Sequence, residues 1–211
     1  MSQNEIKRAE LLNYLNILYP NASCELNYRN DYELLVAIIL SAQTTDKAVN
    51  SVTKKLFGQY PNFETLKGAS LATLEEIIKP LGLAKTKSTN LLSLAKDIVD
   101  KYGNNIPTQR EELMRLKGIG YKTATLFLTM KGYLNGFTVD THVKRVSKRL
   151  GLTTYDDPIK ISHALEDYFH GLSLDKIHHQ FIFFGRYFCK AKDPNCEECQ
   201  LKTKCQWGMS K

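Results

Sequence analysis

The pattern of apolar and polar positions along the chain predicts helices almost throughout. In residues 4–18, apolar side chains recur every three to four positions, which is the spacing of an amphipathic helix. The segment DYELLVAIILSA, which begins at Asp31, is too apolar for a surface helix, so we predict a central buried one. A third helix is predicted to begin at the Thr/Asp cap of TTDKAVNSVTKKLF and to run to Gly58.

Glycines and prolines punctuate the rest of the chain and separate further helical patterns. These predicted helices span residues 71–79, 84–101, 109–115, 121–132, 141–150, 158–170 and 174–188. We find no convincing strand pattern, no low-complexity tract and no internal repeat. The sequence therefore predicts an all-α fold with short connections between its helices.

Length, charge and apolar runs indicate which classes of partner this chain can have. A length of 211 residues allows one domain or two small lobes that share a core. The formal charge of +7 favours a polyanionic partner, with nucleic acid before an anionic membrane surface, although a basic chain alone is weak support for either. The N-terminus lacks a signal peptide's apolar core, and the longest apolar run, Leu34–Leu40, is too short to span a membrane. We therefore expect a soluble, intracellular protein.

The stretch LKGIGYKTA interrupts the helical pattern with Gly118 and Gly120. Glycines accept a positive φ and let a ligand approach the backbone, and the helix that follows presents unpaired N–H groups that favour a phosphate. Ile119 is expected to turn inward and pin the turn. Taken alone, the stretch fits a plain helix–turn–helix connection with Lys122 as a solvated lysine as well as it fits a phosphate-binding loop.

The stretch GFTVDTHVKRVSKRLGL predicts a capped helix with one apolar face and several cations. Asp140 or Thr141 stands at the position of the N-cap. By itself the pattern is typical of a basic surface helix. The functional alternative places the Asp140 carboxylate at the mouth of a cleft, with nearby cations for DNA phosphates.

Four of the five cysteines form a cluster, with the spacing Cys189-x6-Cys196-x2-Cys199-x5-Cys205. A disulfide framework would normally distribute its cysteines along a secreted chain, so this cluster indicates a metal site. Zinc and an iron–sulfur cluster both remain open, because four thiolates suit either one.

Together, these three stretches resemble the endonuclease III family of DNA glycosylases, in order and in spacing. The likeness covers nearly the whole chain and includes LLVAIILSAQTTDKAVN near its start. One departure is Lys117, which stands where the family usually has proline before the first hairpin glycine. We expect the hairpin to remain functional, because the glycines and the helix N-terminus bind the phosphate.

The resemblance implies two helical lobes that flank a DNA-binding cleft. Residues 24–134 would form a six-helix lobe that contains the helix-hairpin-helix motif. Residues 1–23 and 135–211 would form the other lobe, which carries the C-terminal cluster loop. Lys122 and Asp140 would then face each other across the cleft.

The implied activity is that of a bifunctional DNA glycosylase and AP lyase of base excision repair that removes oxidised pyrimidines. Lys122 would attack the sugar as a neutral amine, with Asp140 as the assisting carboxylate. The implied cofactor is a [4Fe–4S] cluster on Cys189, Cys196, Cys199 and Cys205. The implied DNA-binding residues are Gln43, Leu83, Lys117, Gly118, Gly120, His142, Lys190 and Lys192.

The resemblance also implies the partner and the setting. We expect a monomer that binds double-stranded DNA containing damaged bases or abasic sites, without a membrane partner. Its location would be cytoplasmic, and nucleoid-associated if the source is bacterial.

Two rival functions remain. A monofunctional adenine glycosylase of the same superfamily should lack a lysine at position 122 and carry a long C-terminal domain, whereas this sequence ends six residues after Cys205. A non-catalytic DNA-binding module would use the hairpin and the metal loop for binding only, and would not need Lys122 or Asp140.

Overall fold

The computed structural model describes residues 8–209, and every regular element within that range is helical. The prediction of an all-α fold is confirmed. The start predicted for the first helix, at residue 4, lies outside the described residues. No helix within 8–209 combines the length and the apolar character that crossing a membrane would need.

Twelve α-helices follow one another along the described chain, and we number them in chain order. They are α1 (Arg8–Leu18), α2 (Asp31–Leu40), α3 (Asp46–Gln59), α4 (Phe63–Lys67), α5 (Leu71–Ile78), α6 (Ala84–Tyr102), α7 (Arg110–Leu113), α8 (Tyr121–Met130), α9 (Thr141–Arg149), α10 (Pro158–Tyr168), α11 (Leu174–Phe183) and α12 (Gln206–Met209). A 3-10 turn, Lys79–Leu81, follows α5, and a π-helical turn, Phe184–Phe188, follows α11.

The chain divides into two compact units. One comprises the residues up to Cys24 together with those from Leu134 onward, and the other comprises Glu25–Tyr133. The first unit therefore contains α1 and α9 to α12, and the second contains α2 to α8.

Helix α2 is the centre of the second unit, as its sequence predicted. Every residue of it except Asp31 is buried, and α3, α6 and α8 pack against it. Asn30 caps its first turn by accepting from the Glu33 amide at 2.9 Å. Glu33 is the acidic residue of the buried set, and its charge is satisfied by Arg29.

Five aromatic side chains pack together within the otherwise largely aliphatic core of the first unit. Phe137 stacks on Phe169 with ring centroids 5.9 Å apart, and Phe181 meets both rings edge-on. Tyr14 of α1 makes an edge contact with Phe184, which ties the N-terminal helix to the π-helical turn. These rings hold α1 and α11 together beneath the segment that carries α9.

The structure departs from the predicted helix boundaries in a few places. The short α4 was not predicted, because its five residues show no periodicity; it is held by a capping box between Asn62 and Thr65. The helix predicted over residues 174–188 changes to a π-helical turn after Phe183. This turn carries Gly185, where a Cβ would lie 2.9 Å from the Cβ of His142, so the close packing of α9 requires glycine there.

Candidate active site and cysteine loop

The glycine turn before α8 leaves the N-terminus of that helix without a side-chain cap. Gly118 has a φ of 83°, and a Cβ at this position would lie 3.0 Å from the Cβ of Asn90. The positive φ therefore favours glycine here, and a Cβ would also require Asn90 to shift. Ile119 is buried, which confirms that it turns inward. Gly120 is the N-cap residue and supplies no side-chain acceptor, so the first-turn N–H groups remain available to an anion.

Lys122 projects from the first turn of α8 and is exposed. No acceptor within residues 8–209 forms an ion pair or a hydrogen bond with its ammonium group, so the side chain is available to a ligand. Lys117, beside the turn, is exposed as well. The start of α8 is anchored to α7 by Arg110, whose guanidinium donates to the Tyr121 hydroxyl at 3.0 Å and lies 4.6 Å from its ring centroid.

Gln43 and Leu83 share an unusual backbone conformation. Their φ values are 58° and 51°, which lie in the left-handed region that residues with a Cβ rarely adopt. Leu83 is 57% exposed, so it is not the core contact that a leucine at a helix end would ordinarily make. The Gln43 side chain is also exposed and bonds to no helix terminus in the described chain. Strained, exposed residues of this kind concentrate at functional sites.

Asp140 is the N-cap of α9, in place of Thr141. Its Oδ1 accepts from the Val143 amide at 2.7 Å, and the residue is half-buried. One carboxylate oxygen is thus used to hold the helix, while Oδ2 is left for another partner.

The arginines of α9 make their hydrogen bonds within the protein. Arg149 is buried, and its guanidinium donates to the carbonyls of Lys190 at 2.7 Å and Ala191 at 3.1 Å. Arg145 donates to the Gly185 carbonyl at 2.6 Å and to that of Cys189. These bonds fix the start of the cysteine loop to α9, the helix that Asp140 caps.

The two lysines and the histidine of α9 also have partners within the protein. Lys144 and Lys148 both reach the exposed Asp156, at 3.1 and 2.8 Å. The half-buried His142 lies with its Nδ1 3.3 Å from a guanidinium nitrogen of Arg145. The internal role of Arg145 and Arg149 was missed from sequence, although their spacing of four residues places both on one stripe of the helix.

The four clustered cysteines line one small cavity with about 20 Å³ of room for water-sized molecules. Apolar side chains, among them Phe184, Phe188 and Leu150, form the rest of its wall. Burial raises the pKa of the Cys189 and Cys199 thiols, and this effect outweighs the hydrogen bonds that lower it. Within residues 8–209, no three His, Cys, Asp or Glu side chains converge closely enough to hold a single metal ion.

The loop between the first two of these cysteines carries two further lysines. Lys190 and Lys192 are both exposed. The backbone beneath them is fixed by Arg149, because the carbonyls of Lys190 and Ala191 are its acceptors. A rigid loop therefore presents two cations to solvent.

Comparison with known proteins identifies relatives along almost the whole chain. A family model described as "HhH-GPD superfamily base excision DNA repair protein" matches residues 36–170. Endonuclease III of Bacillus subtilis (strain 168) is 40% identical over 201 residues, which cover 95% of this chain and 92% of that protein. Endonuclease III of Synechocystis sp. is 40% identical over 206 residues, or 97% of this chain and 94% of that protein.

Solved structures give the same result. A non-covalent endonuclease III–DNA complex matches with a TM-score of 0.90 at 40% identity and covers 96% of this chain and 95% of its own. A trapped covalent endonuclease III–DNA intermediate matches with a TM-score of 0.89 at 40% identity, over 94% of each chain. A thermostable thymine-DNA glycosylase, 21% identical with a TM-score of 0.85, shares the fold.

Proposed function

Because the chain belongs to the HhH-GPD superfamily of base excision DNA repair proteins and is a bifunctional DNA glycosylase and AP lyase, we propose that Lys122 is its nucleophile and Asp140 its assisting carboxylate. The main support for this proposal is the position of Lys122. Its side chain is exposed on the first turn of α8, directly after the glycine turn. A trapped covalent DNA intermediate among the structural relatives supports it, since such an intermediate requires a protein nucleophile.

The substrate is duplex DNA that contains a damaged base or an abasic site. An enzyme that acts on a base within a duplex must first extrude the nucleotide, at a cost of a few kcal/mol. Gln43 and Leu83 fill the vacated space, the amide by bonding the orphaned partner base and the leucine by replacing lost stacking. Their exposure and strained backbones support this role, because neither side chain is committed to the core.

We assign phosphate contacts within each unit separately. In the unit Glu25–Tyr133, the N-terminus of α8 has no side-chain cap and binds a phosphate. In the other unit, lysines on the rigid cysteine loop neutralise the backbone. The residues that we assign to DNA binding, besides Gln43 and Leu83, are Lys117, Gly118, Gly120, His142, Lys190 and Lys192.

The chemistry then proceeds from Lys122. Its neutral amine attacks C1′ of the extruded deoxyribose, the N-glycosidic bond breaks, and the base leaves with the bonding electron pair. Ring opening gives an iminium between the Lys122 nitrogen and C1′, which acidifies the C2′ proton. Loss of that proton drives β-elimination, which breaks the C3′–O bond, and hydrolysis of the iminium releases the enzyme.

Asp140 assists before and during the attack. A carboxylate can accept a proton from the lysine, and it stabilises the positive charge that develops on the sugar as the base departs. Its Oδ1 is occupied by the Val143 amide, so we assign this work to Oδ2. The cap bond also fixes the carboxylate in one orientation at the head of α9.

We further propose that Cys189, Cys196, Cys199 and Cys205 hold a [4Fe–4S] cluster. All four line the same cavity. Four cysteine thiolates are the ligand set of a [4Fe–4S] cluster, and the spacing of these four resembles the cluster loop of the endonuclease III family. When bound, the cluster cross-links the loop of Lys190 and Lys192.

Protein purified without oxygen should therefore be yellow-brown and contain about four iron ions per chain. Cys199→Ser should lose the colour and much of the iron, because one of the four thiolates is gone. Cys24→Ser is the matched control and should keep both, since Cys24 lies outside the loop. A colourless protein with stoichiometric zinc would overturn the assignment.

Oxidised pyrimidines are the substrate class that we propose. In 25-base-pair duplexes that differ at one base, thymine glycol should be excised at least roughly tenfold faster than 8-oxoguanine or adenine opposite 8-oxoguanine. Release of base and cleavage of the strand should follow together. Faster excision of either purine would assign the pocket to a different lesion class. Since its substrate is genomic DNA, we place the enzyme in the cytoplasm, associated with the nucleoid if the source is bacterial.

A further inference from the structure

The turn that presents Leu83 is held in a conformation that its own sequence does not favour. Gly82 and Leu83 both have positive φ values, 68° and 51°, and Leu83 is the residue before α6. Leucine has no intrinsic preference for this region, so the turn persists only if its surroundings determine it. The exposed Leu83 side chain makes no core contact that could do so.

Lys87 supplies bonds on both sides of the turn. Its Nζ donates to the Leu81 carbonyl at 3.1 Å, and its backbone amide donates to the Leu83 carbonyl at 2.9 Å. These two carbonyls flank Gly82, so one residue fixes the chain before and after the strained step. The bond to Leu81 is made by the side chain and thus depends on residue type.

The burial of Lys87 is unusual for a lysine and calls for a specific cause. The residue is 5% exposed, and burial lowers the pKa of its ammonium group. An apolar side chain of equal length would fill the same space without the desolvation cost. The carbonyl of Leu81 is the acceptor that the described chain offers to Nζ.

We infer that Lys87 is a positioning residue for base extrusion, which holds the Leu81–Leu83 turn so that Leu83 stands ready to enter a DNA duplex. This inference rests on the proposed function, in which Leu83 replaces the extruded nucleotide. Lys87 does not itself touch the substrate, because its side chain is buried against the turn. Its contribution is therefore confined to substrates that must be extruded.

The test compares one reaction on two substrates. Strand cleavage at an abasic site is measured in a duplex, where the sugar must be extruded, and in a single strand, where it is already accessible. Lys87→Met fills the same space but cannot donate, so it should slow the duplex reaction roughly tenfold or more and leave the single-strand reaction within about twofold. Lys87→Arg keeps a donor and should recover most of the duplex rate.

Three further variants separate positioning from other effects. Leu83→Ala and the double variant Leu83→Ala/Lys87→Met should have equal duplex rates, because Lys87 acts through Leu83. Lys85→Met removes an exposed charge from the same helix and is the matched control for charge. Lys85→Met should change the cleavage rates of the duplex and of the single strand by the same factor.

Two results would overturn the inference. One is an equal loss on duplex and single strand in Lys87→Met, and the other is a Lys87→Met effect that adds fully to that of Leu83→Ala. The single-strand rate also reports folding, since a misfolded variant would lose both reactions. If the wild-type enzyme cleaves neither substrate, the proposed function itself fails and this inference fails with it.

Discussion

Lys122→Gln should reduce single-turnover cleavage of an abasic duplex by roughly 10³-fold or more, because loss of a covalent nucleophile removes the reaction path and leaves only binding. The amide of glutamine cannot form an iminium. Affinity for the same duplex should change little, since the phosphate contacts that we assign come from the turn and other lysines. Quenched-flow cleavage and an electrophoretic binding assay measure the two quantities.

The control for this variant is Lys96→Gln, which removes an exposed cation from α6 without touching the proposed site. It should retain the wild-type cleavage rate. A Lys122→Gln enzyme that cleaves at the wild-type rate would leave the non-catalytic DNA-binding module as the better description of the hairpin.

Asp140→Asn should slow excision of a damaged base by about 10²–10⁴-fold, the range that a positioned acid–base group contributes. Asparagine caps a helix as well as aspartate does, so α9 should remain folded and the melting temperature unchanged. The defect should be much smaller on a pre-formed abasic site, where there is no base to expel. Rates on the two substrates, together with a thermal melt, test all three expectations.

Asp157 offers a matched control for the capping role. It caps α10 by accepting from the amides of Ile159 and Lys160 at 3.1 and 2.9 Å, as Asp140 caps α9. Asp157→Asn should leave excision intact. If Asp140→Asn also leaves it intact, the carboxylate serves only as a cap and another group must assist Lys122.

The elements that sequence predicted best are those with a strong local signal. The continuous apolar run of α2 has no stable place except the interior, and the structure buries it. The cap at Asp140 follows from the intrinsic preference of aspartate for the residue before a helix. The turn at Gly118 follows from the backbone freedom of glycine.

The features that sequence did not predict depend on tertiary packing. A lysine or an arginine on a helix is exposed by default, so nothing local indicates that Lys87 and Arg149 turn inward. Leu83 likewise gives no local sign of its left-handed backbone, which the bonds around it determine. The short α4 is stabilised by one capping box, and its five residues are too few for periodicity to reveal.

In the proposed reaction, one amine, that of Lys122, becomes covalently attached to the sugar. Borohydride reduces the iminium to a stable bond, so the wild-type enzyme incubated with an abasic duplex and borohydride can be digested and the modified peptide sequenced by mass spectrometry. We predict a deoxyribose-derived mass on Lys122 within the peptide that begins α8. A modification on another lysine or on the N-terminal amine, or no adduct at all, would contradict it.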